Sequence, residues 1–95
     1  MIFPKWCELP EGQSDQERAV KRLRFLLNRL AILTVPECTY YAFAQHCGIS
    51  KSRLHRAMRA GACTADMAMQ IERTLGREMV RAVDLMYPLE IETNS

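Results

Sequence analysis

The 95-residue chain predicts an all-α fold, a compact helix-turn-helix bundle of four to five helices with room for one short C-terminal strand. Three observations lead there. Apolar residues recur at three- and four-residue intervals between positions 19 and 31, the period of a helix with one buried face. Helix-start residues stand at Ser14, Thr39, Ser50 and Thr64, and Pro36, Gly48, Gly61 and Gly76 close the stretches they open. The apolar–polar alternation of a strand is confined to residues 89–92. Composition fits one small domain: 48% hydrophobic and 25% charged residues can bury a core. No apolar run nears the ~18–20 residues of a membrane span.

Residues 1–13 carry Pro4, Pro10 and Gly12 among scattered Ile2, Phe3, Trp6 and Leu9. They read as an extended N-terminal arm without a regular element, docked through Phe3 and Trp6. Ser14-Asp15-Gln16-Glu17 is a capping box, serine and glutamate each satisfying an orphan amide. The helix it opens, residues 15–33, sets Ala19, Val20, Leu23, Leu26, Leu27, Leu30 and Ala31 on one face. Arg18, Lys21, Arg22 and Arg29 fall mostly on the other. Pro36 ends it by pushing Val35 out of the α region.

Thr39 caps a short helix over 40–47, Gly48 and Ile49 turn the chain, and Ser50 caps a second helix over 51–60 that Gly61 closes. A fourth helix runs from Thr64 through Met67, Ala68, Ile71 and Leu75 to Gly76. Residues 77–86 read either as one more helical turn or as an irregular return. Pro88 breaks what precedes it, and residues 89–95 form an acidic tail in which Leu89 and Ile91 alternate with Glu90 and Glu92. A single domain is therefore expected over 14–88.

Residues 40–61 carry the most information. Two helices that cross closely need a small residue at the contact, here Ala44, and a tight turn needs a residue free to take positive φ, here Gly48. Ile49 and Leu54 fill the wedge between the helices, and Ala57 and Met58 complete the apolar stripe. Lys51, Ser52, Arg53, His55, Arg56 and Arg59 are left outside, all donors suited to phosphates and base edges. The charge distribution agrees. Between Arg18 and Arg59 nine Lys/Arg face one acid, a local net of +8, although the chain as a whole carries +2. Each flank is acidic. A basic centre between acidic ends points to a polyanion, with double-stranded DNA the leading partner.

Other classes find little support. Two histidines, no paired acids in a plausible pocket and no Gly-rich phosphate loop argue against an enzyme or a cofactor. Cys7, Cys38, Cys47 and Cys63 include no C-x-x-C pair, so reduced structural thiols are expected rather than disulfides or a metal site. The start of the chain shows no charged leader or cleavage site, and a cytoplasmic protein is expected.

Over Gly48-Ile49-Ser50-Lys51-Ser52-Arg53-Leu54-His55-Arg56-Ala57-Met58-Arg59-Ala60-Gly61 the chain resembles the small Cro repressors of temperate phages. The spacing of Ala44, Gly48, Ile49, Leu54, Ala57 and Ala60-Gly61 matches their pattern without a gap. Residues 67–85 look like the helical Cro and YdaS-type regulators of prophages rather than Cro proteins that end in a β-hairpin. The resemblance spans about residues 38–88. It implies that Lys51, Ser52, His55 and Arg56 face the major groove, while Tyr40 and Arg59 lie over phosphates. Arg53 is expected to add a phosphate contact. It implies a transcriptional repressor in the cytoplasm of a bacterial or phage-infected cell, bound to a palindromic operator as a homodimer. Segment 85–91, with Tyr87, is the expected dimer surface, so removal of 85–95 should leave a folded monomer. The long first helix and the acidic tail depart from the family. That helix leaves a second function open, an antitoxin-like or adaptor protein whose residues 15–33 bind a protein partner.

Overall fold

Ser14 Oγ accepts the Glu17 amide at 3.1 Å and opens the longest helix of the protein. The computed structural model describes residues 3–92, and six helices lie among them. They are α1 (Lys5–Glu8), α2 (Asp15–Thr34), α3 (Tyr40–Cys47), α4 (Lys51–Ala60), α5 (Ala65–Leu75) and α6 (Ala82–Met86), followed by one 3-10 turn, Pro88–Glu90. α2 is the floor of the bundle. Its stripe of Leu23, Leu27, Leu30 and Ala31 packs under α3 and α4, and α5 and α6 close the far side. Phe43, Leu54, Ile71 and Leu85 have no more than traces of exposed surface. Each such side chain contributes roughly 1.5–3 kcal/mol through burial. The fold is all-α, and α2 ends one residue beyond the predicted bound, with Val35 in an extended conformation before Pro36.

Four expectations need correction. The arm does contain a regular element, because Cys7 is fully buried and its amide reaches Pro4 O at 3.0 Å, closing the single turn of α1. Phe3 docks as expected, buried and edge-on to Phe25 at 5.6 Å, whereas Trp6 stays half exposed against the same ring.

No strand forms among the described residues at the C-terminus. Pro88 starts a 3-10 turn instead, and the carbonyls of Pro88 and Leu89, which a strand would offer to a neighbour, accept from Arg22 Nη1 at 3.2 and 3.5 Å. Arg22 itself is the third correction. It lies inside the protein at 6% exposure, not on a solvated basic face, and its Nε and Nη2 donate to Glu8 Oε1 at 3.0 and 2.8 Å. Its neighbours follow. Arg18 pairs with Glu8 at 3.6 Å, and Lys21 Nζ donates to Leu9 O and Gln13 Oε1. Three cations of α2 thus tie down the arm.

The fourth correction concerns the C-terminal segment. Leu85 belongs to the main core, and its carbonyl accepts the Cys63 amide at 2.9 Å. Removing residues 85–95 would therefore open the core rather than leave an intact monomer. The ambiguous stretch before it resolves into α6, whose first amide, Ala82 N, is held by Glu72 Oε2 at 2.8 Å. The acidic tail has no clean start at 89, since Pro88 is buried and Ile91 packs on the small Phe3–Cys7–Leu26 cluster. Residues 1–2 of the arm and 93–95 of the tail lie outside the described residues. No helix among the described residues is long and apolar enough to cross a membrane.

Candidate nucleic-acid interface

α3 and α4 meet through a turn that several short hydrogen bonds over-determine. Thr39 Oγ1 accepts the Ala42 amide at 3.1 Å and Ser50 Oγ accepts the Arg53 amide at 3.2 Å, so each helix starts on a capped amide. Gly48 sits at φ +70°, ψ +32°, and the amides of Gly48 and Ile49 reach back to Gln45 O and Ala44 O at 3.1 and 2.9 Å. This is the left-handed helix stop that glycine adopts without steric cost. Ala44, Ile49, Leu54 and Ala57 are all buried at 6% exposure or less, on the inner side of the motif. Gln70 of α5 adds a bond from outside the motif, donating from Nε2 to Cys47 O at 3.1 Å.

The far end of α4 is locked to α2. Gln16 Nε2 donates to Ala60 O at 2.8 Å, satisfying a carbonyl that the helix end leaves open. Gly61 follows at φ +81°, pressed so closely on Ala19 and Val20 that a Cβ would stand 3.0 Å from Val20 N. Both ends of α4 are thereby positioned by other helices, and its direction is fixed relative to the core.

Its outer face is what remains. Lys51, Ser52, Arg56 and Arg59 are exposed and His55 is half-buried, the five residues lining one shallow concavity. None of these side chains hydrogen-bonds or ion-pairs within the described residues. Lys51 Nζ stands 5.8 Å from the centre of the Tyr41 ring, and α4 carries no acid. The other two predicted phosphate contacts flank this face. Tyr40 is half-buried at the start of α3 and shares a cleft with His55 and Arg59. Arg53 is exposed on the opposite flank, in a cleft toward α5 that also holds Asp66, Gln70 and Arg73.

The chain matches no protein-family model, no curated protein and no solved structure. The chemistry of this face is therefore read from its own residues.

One cation that the sequence did not single out joins the group. Arg24 of α2 lines the same cleft as Tyr40, His55 and Arg59. Its only sequence signal is its place four residues after Val20, at the edge of the apolar stripe, and that becomes meaningful only once α4 is known to cross α2 there. The thiols lie elsewhere. Burial pushes Cys47 up to about 11 and Cys63 up to about 12, and raises Cys7, so all three stay protonated near neutrality. No group of three His, Cys, Asp or Glu among the described residues could hold a metal ion.

Proposed function

We propose that the chain is a sequence-specific DNA-binding regulator, a Cro-like repressor that acts as a homodimer on a palindromic operator with α4 as its recognition helix. One observation carries this. The outward face of α4 presents Lys51, Ser52, His55, Arg56 and Arg59, none of whose side chains hydrogen-bonds to an acceptor among the described residues, on a helix without an acid and held at both ends. Five polar side chains without an internal hydrogen-bond acceptor among the described residues are poised for acceptors outside the protein. The major groove offers such acceptors on guanine and adenine edges, and the phosphates beside it offer charge. Arg56 and Lys51 suit the guanine O6/N7 pair, Ser52 and His55 suit a neighbouring edge, and Arg59, Tyr40 and Arg53 suit the backbone.

One such helix supplies few base contacts, and a two-fold dimer doubles them. With the C-terminal segment built into the core, the best surface for a second copy is the cleft where Leu33 and Met79 stand 58% and 45% exposed above the buried Leu26, Leu30 and Val80. Arg29 stands at one side of it, with Glu78 and Asp84 at the other. Two-fold pairing would set the cation of each copy against the acids of the other. A second reading has its own support. Ile32 and Leu33, at the end of α2, are 55% and 58% exposed, which suits an adaptor that grips a protein partner through residues 15–33.

Selection of bound duplexes from a random pool tests the function. Enrichment of a palindrome is expected, and Arg56→Ala should then cost ~1–3 kcal/mol on that site while relaxing one base position per half-site. Equal losses on selected and random DNA would make Arg56 a phosphate contact. Failure to enrich any sequence would refute the regulator and favour the adaptor.

A further inference from the structure

α2 carries five basic residues, and the structure divides them sharply. Arg18, Lys21 and Arg22 are spent on Glu8, Leu9 O, Gln13 and the Pro88 and Leu89 carbonyls. Arg29 stands beside the apolar cleft on the other side of the helix. Arg24 alone opens toward α4, into a cleft of about 250 Å³ shared with Tyr40, His55 and Arg59. No Asp or Glu lines that cleft, and α3 begins at Tyr40 with no acid in its first turn. The corresponding cleft on the other flank of α4 differs. There Asp66 stands beside Arg53 and Arg73, and Arg73 Nη2 is already held by Gln70 Oε1 at 2.9 Å.

We infer that the α2–α4 cleft seats one phosphate of the DNA backbone, with Arg24, from outside the helix-turn-helix, as a principal ligand beside Arg59 and the Tyr40 hydroxyl. The chemistry fits in three respects. Two guanidiniums offer paired N–H donors to the oxygens of a single phosphate, the arrangement in which arginine binds that group most strongly. The phenol and the imidazole can each add a hydrogen bond. The cleft also borders the recognition surface directly, since His55 and Arg59 line both. A phosphate held there is one flanking the groove that α4 enters, so Arg24 sets the register of the protein on the duplex without reading a base. This site rests on the DNA-binding reading above and extends the footprint onto the long helix.

Fluorescence anisotropy with a selected duplex and a random-sequence duplex, over a series of salt concentrations, tests it. Arg24→Gln should weaken both duplexes by the same factor, roughly threefold to tenfold at moderate salt. It should also reduce the slope of log K against log salt by ~1 per subunit. Arg24→Lys should keep most of the slope, and Lys5→Gln, at an exposed residue of the N-terminal arm outside the cleft, should change neither quantity. A methylphosphonate scan of the selected duplex should reveal one backbone position per half-site whose neutralisation harms the native protein but not the Arg24→Gln variant. If the native protein binds DNA and Arg24→Gln binds as well, with an unchanged slope, the site is wrong while the function stands. If the native protein binds no duplex, the function itself fails. Inorganic phosphate that shifts the His55 and Arg24 resonances saturably, in a protein whose duplex binding ignores Arg24, would assign the cleft to a free anion and overturn the proposal.

Discussion

Gly61→Ala puts the helix–helix lock under direct test. Gly61 has φ +81°, in the left-handed region, where an L side chain costs roughly 1–2 kcal/mol. An added Cβ would also stand 3.0 Å from Val20 N and 3.1 Å from Ala19 Cβ. The nearer atom is backbone within α2 and cannot swing away, so α4 must lift from α2 or α2 must bend. Overpacking of this kind costs about 1–3 kcal/mol, which makes the expected total about 2–5 kcal/mol. For a domain of this size each kcal/mol lowers the melting temperature by about 4–8 °C, so a fall of at least about 8 °C is expected. Gly48 supplies the control. It has φ +70°, but its added Cβ would meet only Gln70 Nε2, at an ordinary 3.5 Å, so Gly48→Ala should lose only the conformational part. Asparagine, which tolerates the left-handed region, should recover stability at 48 and not at 61. Thermal and urea unfolding of the four variants measure this. Equal losses for the two alanine variants would show that α2 yields freely and that the lock is weak.

Two further outcomes are expected. Arg22→Met should destabilise by about 2–4 kcal/mol, somewhat less than the ~3–5 kcal/mol of breaking a fully buried pair, because Glu8 keeps 38% of its side-chain surface in water. Urea unfolding of Arg22→Met, Glu8→Gln and the double variant checks it, and strict additivity would mean that the two side chains do not interact. For the thiols, Cys38 is exposed while Cys7, Cys47 and Cys63 are buried, so native protein should alkylate rapidly at one site and denatured protein at four. Burial holds Cys47 and Cys63 at about 11 and 12, above the ordinary 9.0, so the folded state keeps protons that the unfolded state sheds. Their contribution to stability is intact below pH 9 and is lost as pH rises through 11 to 12, with a slope approaching about 1.4 kcal/mol per pH unit for each thiol. A double Cys47→Ala/Cys63→Ala variant whose stability fell just as steeply above pH 9 would refute this.

The helices were legible wherever a local rule decides. The Ser14, Thr39, Ser50 and Thr64 caps, the stripe of α2, and the Ala44–Gly48–Leu54 spacing each concern residues within a turn or two of one another. What escaped the sequence is set by partners far along the chain. Arg22 looks solvent-facing by helical position, and only Glu8 and the carbonyls 66 and 67 residues later draw it inside. The alternation at 89–92 suggests a strand, but a strand needs an edge to pair with, and none lies beside it among the described residues. Arg24 is the same lesson in reverse: nothing near it in sequence marks it, and the crossing of α2 with α4 gives it its neighbours. The outer face of α4 was readable because the buried positions of a short helix leave few others.

That division of labour bears on how such a protein can change over time. The structural duties of α4 rest on Leu54, Ala57, Met58, the Ser50 cap and the Gly61 contact. The side chains of Lys51, Ser52, His55, Arg56 and Arg59 make no hydrogen bond within the described residues. Substitutions at surface positions of that kind usually move stability by no more than about 0.5 kcal/mol. A lineage could therefore rewrite those five residues, one at a time or together, without passing through an unfolded ancestor. If α4 reads DNA as proposed, the fold would act as a fixed handle and the face as an interchangeable key, and target preference could drift quickly between close relatives whose cores remain nearly identical.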